Sequence, residues 1–265
     1  MNKIFLNTLL IGGALTFIQC SESGNQQQAT EESSTQATGI RLSKAPVSPA
    51  FADATLALKN YTSESSENGF NALFDFEVSN YELGAQTETA DTRGIANSAN
   101  GQHIHLILNN GPYSAHYEPN VSKSLEEGNY VALAFLSRSY HESVKNANSY
   151  WLDVIKVGNP TDQLDIDFSA QHMFYSRPKG TYTGKDTEKL MIDFFLLNTD
   201  LSPDGNKVRA TVNGEVFIID EWAPFYVEGL PMGDIPFKLE LIDTNGNVIP
   251  GPFNVVERIV TLSAE

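Results

Sequence analysis

His103 and His105, two histidines separated by one residue, form the pair whose type and spacing could do chemistry. In an extended strand, residues two apart share a face, with Cα atoms about 6.6 Å apart at a rise of ~3.3 Å per residue. Imidazoles at that spacing can converge on one ion at nitrogen–metal distances of about 2.0–2.1 Å. Neutral imidazole suits zinc or copper. Two ligands do not complete a site, and two further histidines are candidates. His116 follows the Gly111-Pro112 turn and can return toward the strand. His141 lies in the run SRSYHESVKN, beside Glu142.

The element that carries the pair reads HIHLILN, from 103 to 109. Ile104, Leu106 and Leu108 alternate with the histidines and take the core face. His103 and His105 are therefore expected on the outward face, toward solvent or beneath the inserted loop 84–102. From residue 45 onward the whole chain carries this short-strand pattern, with turn dipeptides at Asp204-Gly205, Asn213-Gly214 and Asn245-Gly246. Expected strands cover 55–58, 72–79, 103–108, 130–137, 150–157, 173–176, 190–197, 208–212, 216–219, 237–242 and 255–262. A short helical turn is expected over 120–127.

An internal repeat organises these strands. FDFEVSNYEL (74–83) matches IDFFLLNTDL (192–201), and HIHLILN (103–109) matches KVRATVN (207–213). Each copy is about a hundred residues of short strands, which fits an all-β fold of two tandem immunoglobulin-like β-sandwich repeats. The copies span 45–160 and 161–265, with Gly158-Asn159-Pro160 as the joint. The first copy carries an inserted loop, 84–102, where the second has a few turn residues. Long loops on a β scaffold often carry function. The second copy also lacks the histidines, so the fold does not need them.

Composition bounds the partners. The formal net charge is −16, which repels phosphate backbones and excludes nucleic acid as a partner. The one cysteine, Cys20, permits no intramolecular disulfide. Residues 4–18 form a mostly apolar run behind Lys3, with the length of a signal-peptide core. Cys20 falls where that run ends. The arrangement resembles a bacterial lipoprotein signal, in which the cysteine is lipidated and becomes the mature N-terminus. Gln19 departs from the small residue usual before that cysteine. The resemblance implies a signal over 1–20 and a protein of the cell envelope, lipid-anchored at the outer membrane. Residues 21–44, rich in Ser, Gln, Thr and Glu, are expected to form a disordered tether.

Catalytic motifs are missing. His141-Glu142 starts like a zinc-protease helix, but Lys145 stands where the second histidine should be. There is no Gly-x-Ser-x-Gly elbow and no phosphate loop. No enzyme activity is expected. The His-x-His strand resembles that of copper–zinc superoxide dismutase, but the further histidines which that family needs are absent. Two Ser-Arg pairs, at Ser137-Arg138 and Ser176-Arg177, lie near Lys145, Lys179 and Lys185 and could receive an anion.

At GQHIHLILNNGPYSAHYEP, AFLSRSYHES, YSRPKGTYTGKDTEKLMIDF, EGLPMG and NGNVIPGPFNVVER, the chain resembles a family of bacterial envelope lipoproteins. Members are commonly labelled phosphopeptide-binding protein. The resemblance implies a non-enzymatic binding module for a protein, peptide or glycan. Tyr113, Tyr117, Arg138, Arg177 and Lys179 are its candidate contact residues. The alternative is a metal-binding protein that uses His103, His105, His116 and His141 for zinc or copper.

Overall fold

The computed structural model describes residues 39–265. The expected signal, Cys20 and the tether up to residue 38 lie outside the described residues. Sixteen strands follow in order: β1 (Arg41–Lys44), β2 (Thr55–Ser66), β3 (Gly69–Ser79), β4 (His103–Leu108), β5 (Ser114–His116), β6 (Asn120–Leu125), β7 (Gly128–Ser137) and β8 (Tyr150–Val157), then β9 (His172–Arg177), β10 (Gly180–Thr183), β11 (Lys189–Leu197), β12 (Lys207–Val212), β13 (Glu215–Ile219), β14 (Phe225–Glu228), β15 (Gly233–Ile242) and β16 (Val255–Ser263). Among the described residues only two 3-10 turns interrupt the strands, and no helix is long and apolar enough to cross a membrane.

The strands form two β-sandwiches. In the first, the sheet β2-β3-β6 faces the sheet β5-β4-β7-β8. Phe74, Phe76, Ile104, Leu106, Ala134 and Leu136 fill the space between them. In the second, the sheet β1-β14-β11-β9 faces β10-β16-β15-β12-β13 around Tyr175, Phe194, Val208, Ala210 and Phe237. The sequence repeat reappears as β3 with β11 and β4 with β12. Ile104, Leu106 and Val208, Ala210 occupy matching core positions, as the alternation requires.

Two elements differ from the sequence expectation. Arg41–Lys44 are not tether but a strand on the edge of β14, with Ile40 buried and Leu42 packed in the second sandwich's core. Their alternation of apolar Ile40 and Leu42 with polar neighbours is too short to stand out beside the polar tract before it. Asn120–Leu125 forms a strand that pairs with β3, not a helical turn. Val121 is its one buried apolar anchor, and edge pairing rather than intrinsic propensity decides its conformation.

A third apolar layer decides the environment of the histidines. The outward face of β4 and β7 is not solvated. Ile107, Val131, Leu133 and Phe135 pack against Phe174, Phe195 and Leu197 from β9 and β11 of the second sandwich. The Phe135 and Phe195 rings stack with centroids 5.1 Å apart. Burying such side chains stabilises by roughly 1.5–3 kcal/mol each, so the two sandwiches stack face to face. The expectation that His103 and His105 point toward solvent or lie beneath the inserted loop is corrected in what covers them. They lie on the face anticipated, but the second sandwich covers it, and both are fully buried.

Candidate metal centre

His103, His105 and His141 present ring nitrogens that all lie within 4.8 Å of one another. His103 Nε2 is 2.8 Å from His105 Nε2 and 3.1 Å from His141 Nδ1. Donors around one tetrahedral ion with bonds of 2.0–2.1 Å stand about 3.3 Å apart. Small side-chain rotations would bring the three nitrogens to that spacing.

Each histidine is placed by a different local device. The pleat of β4 puts His103 and His105 on one face, opposite Ser137 and Phe135 of β7. His141 comes from the turn after β7. There Arg138 donates its backbone N–H to the Glu142 carbonyl at 2.9 Å, and His141 donates to the Arg138 carbonyl at 2.8 Å. The second sandwich builds the same turn after β15, where Asp243 donates to Asn247 at 2.8 Å and Gly246 donates to Asp243 at 3.0 Å. His141 has φ +67°, and its counterpart Gly246 has φ +81°. Left-handed backbone favours glycine and disfavours most side chains. A histidine held there aims its ring into the cluster at the expense of backbone strain.

The inserted loop fixes that turn. Ala90 and Ile95 pack with Tyr140, Met191 and Tyr226. Arg93 is buried, donates to the carbonyls of Pro46 and Val47 at 3.0 Å, and lies 4.4 Å from the Tyr140 ring centre. Ser98 N–H donates to Ser139 O at 2.9 Å, and Ser98 Oγ meets the Tyr117 hydroxyl at 2.7 Å. The loop thus packs around residue 140 and reaches Tyr117, whose ring lies 5.1 Å from that of His103.

Burial and like charge keep these rings neutral. Burial pushes the His103 imidazole down to about 4, with Arg177 adding to the effect against the Gly101 carbonyl. His105 falls well below its usual range through burial, the neighbouring histidines, Arg177 and Lys179. His141 is lowered by burial, Arg177, His103 and Lys179. The outer nitrogens have their own partners. His103 Nδ1 lies 2.8 Å from Gly101 O. A carbonyl only accepts, so Nδ1 carries the hydrogen and Nε2 turns a bare lone pair to the cluster. His105 Nδ1 lies 3.4 Å from Ser176 Oγ and can donate to it, which frees its Nε2. Metal-ligating histidines are held in this way by carbonyl or hydroxyl partners. Gly101 is irreplaceable here for a packing reason, since a Cβ on it would sit 2.2 Å from Gly84 O.

The other candidate residues divide. His116 does not join the cluster. Cross-strand partners share a face, and His116 pairs with Ile104 while Ala115 pairs with His105. His116 turns to the opposite side of the sheet, where it meets Ser114 Oγ at 2.8 Å. Tyr113 and Tyr117 have the parity of Ala115 and stay with the histidines. Tyr113 stacks on His105 with ring centroids 3.5 Å apart. Arg138 is buried and fully engaged, with Glu142 at 3.2 Å and the carbonyls of Ser143 and Pro49. Arg177 is buried beside the histidines and its Nε has no partner among the described residues. Lys179 Nζ lies 4.2 Å from the Tyr113 ring centre. Gly101 and Ser176 were missed as orienting groups, although Ser176 precedes Arg177 in a pair singled out for its charge.

A second buried polar group lies between the sandwiches and is closed. Lys145 Nζ meets Asp193 Oδ1 at 2.6 Å and Ser143 Oγ at 2.7 Å. Ser143 donates its backbone N–H and its hydroxyl to Asp193, both at 3.1 Å. The amine is committed to a carboxylate and is not a free base for the serine. This trio ties one sandwich to the other.

Comparison with family models finds no match, and comparison with curated proteins finds none. Among solved structures, the chain is similar to a fibronectin(III)-like module of Clostridium thermocellum CbhA, at 17% identity over 35% of this chain and 99% of that one, with a TM-score of 0.28. It is also similar to a two-domain fibronectin type III segment of chicken tenascin, at 7% identity over 77% and 98%, with a TM-score of 0.21. A third is Bacteroides ovatus mixed-linkage glucan utilization locus SGBP-B in complex with a mixed-linkage heptasaccharide, at 10% identity over 78% and 47%, with a TM-score of 0.22. Likeness at this level carries no argument about a ligand.

Proposed function

We propose that the chain is a non-enzymatic binding protein whose ligand is a zinc or copper ion held by His103, His105 and His141. The observation that carries this reading is the convergence of three imidazole nitrogens, two from the buried His103 and His105 and one from the half-buried His141. The outer nitrogens of His103 and His105 already have partners in Gly101 O and Ser176 Oγ. Without an ion, His103 Nε2 and His105 Nε2 can share one proton at 2.8 Å and the Tyr113 hydroxyl can donate to His141 Nδ1 at 3.3 Å, and a cation at the centre would take the place of those protons. Three histidines with an open fourth position form a known zinc pattern, and imidazole equally suits copper.

The phosphopeptide reading has less to stand on. Arg138, one of its two guanidiniums, is spent on Glu142 and on backbone carbonyls within the fold. Binding of a protein or glycan through the first-copy loops would leave the three histidines without a task. The signal-like segment and Cys20 support a lipid-anchored position in the cell envelope for this site. Labelled fatty acid incorporated by the native chain and lost in Cys20→Ala checks that part.

The test of the site is metal analysis of the purified chain. One equivalent of zinc or copper is expected, retained through gel filtration and absent from the His103→Ala/His105→Ala double variant. No uptake from micromolar metal would sink the reading. Equal uptake by the double variant would move the site elsewhere.

A further inference from the structure

We propose that the Tyr113 hydroxyl is the fourth protein ligand of this centre and binds the ion as a phenolate, giving a three-histidine, one-tyrosinate site. This deepens the metal reading and rests on it. Tyr113 Oη lies 3.3 Å from His141 Nδ1, which is the spacing of about 3.3 Å expected for two donors sharing a tetrahedral ion. The stack on His105, with the planes 13° apart, keeps the phenol ring beside the cluster, and its oxygen reaches an ion in the imidazole plane by tilting toward that plane. The register of β5 fixes that placement, because Tyr113 keeps the parity of Ala115, the partner of His105.

Charge points the same way. Three neutral imidazoles bring no negative charge to a divalent ion, and no carboxylate belongs to the cluster among the described residues. Arg177 and Lys179 stand beside it, close enough to depress all three histidines or two of them. An ion bound there by neutral rings alone would add a third positive centre to a buried site. Tyr113 is a group in contact with the cluster that can become an anion. A bound ion completes the change. The metal–oxygen bond forms as the O–H bond breaks, and one proton leaves to solvent. Arg177 and Lys179 then face a phenolate rather than a bare cation. The unpartnered Arg177 Nε and the Lys179 ammonium over the phenol ring acquire a counter-charge.

The test uses copper(II), because phenolate bound to copper(II) gives a visible charge-transfer band that imidazole ligands do not give. One equivalent of copper(II) added to the purified chain is expected to produce that band, with phenolate ring modes in the resonance Raman spectrum excited within it. Tyr113→Phe is expected to keep one copper, lose the band and the ring modes, and bind about tenfold or more weakly. Far-ultraviolet circular dichroism of Tyr113→Phe checks that the variant folds. Copper bound by the native chain with no such band overturns the tyrosinate alone and leaves the three-histidine site standing. A band that survives in Tyr113→Phe overturns it as well. No copper bound by the native chain overturns the metal reading and the tyrosinate together.

Discussion

Strands β4 and β12 occupy the same place in the two sandwiches and meet opposite fates. Each pairs with its following hairpin strand and with the long strand beyond, β7 or β15. Each turns an alternating apolar face to its own core. On β12 the other face carries Lys207, Arg209 and Thr211, all part-exposed, with Arg209 Nε 2.7 Å from Glu240. On β4 the other face carries His103, His105 and Ile107, all fully buried. The difference lies in what is stacked on top. The β9 and β11 face of the second sandwich covers β4, whereas the outer side of β12 keeps its charges in water. A polar side chain on the covered face must either shed its charge, as imidazole does readily, or find a partner, as Asp193 does in Lys145.

The largest expected effect exchanges residues between β4 and β12. His105→Arg places a fixed charge in a fully buried position beside Arg177 and Lys179. An uncompensated buried charge costs about 3–5 kcal/mol. The reciprocal Arg209→His loses one part-exposed ion pair and should cost no more than about 1 kcal/mol. Urea denaturation of both variants measures the asymmetry. Equal losses would break the comparison, because they would mean the two outward faces are alike.

Acid should expose the same contrast at a smaller scale. The folded His103 titrates near 4, against about 6.5 when unfolded. Between those values the unfolded chain binds a proton that the folded chain refuses. Its contribution to stability is therefore complete above pH 6.5 and is lost as pH falls toward 4. His103 alone accounts for about 3 kcal/mol over that window, at 1.36 kcal/mol per unit. The metal-free chain should lose denaturation midpoint steadily from pH 6.5 to 5, before most carboxylates titrate, and His103→Gln should make that slope shallower while His105, His116 and His141 supply the rest. A slope that His103→Gln leaves unchanged would show that the ring is not buried uncharged.

The part of this arrangement legible in the sequence was the part governed by one strand at a time. Alternation placed Ile104 and Leu106 in the core, and the repeat drew the two sandwiches. What escaped depends on partners that the strand itself does not name. The covered face of β4 is set by β9 and β11, roughly seventy residues or more further on. One signal was present. Residues 131–136, VALAFL, carry no polar side chain on either face, and 190–197 break that rule only at Asp193. Runs of that kind belong to strands buried on both sides. Asp193 is tolerated because Lys145 and Ser143 reach it from the other sandwich. His116 failed as a ligand for a register reason. The turn before β5 sets which of Ala115 and His116 faces His105, and a shift of one residue exchanges them.

The smallest expected effect on stability, at His141, separates ring from backbone. Its turn matches that of Gly246 bond for bond, yet it forces φ +67° on a side chain where the sister copy has glycine. Relief of left-handed strain by glycine is worth roughly 1–2 kcal/mol. The extra freedom of an unfolded glycine takes back roughly 0.5–1 kcal/mol. His141→Gly should therefore melt within about 1 kcal/mol of the native chain and hold no metal, since one of the three converging nitrogens is gone. His141→Ala keeps the strain, loses the same ring and should be the less stable of the two. If His141→Gly instead unfolds readily, the imidazole is holding the two sandwiches together by packing, and the strain at residue 141 has a structural rather than a ligand-holding explanation. If it melts like the native chain but releases the metal, the strain is present only to aim a ligand, which the second copy, with Gly246, never had to do.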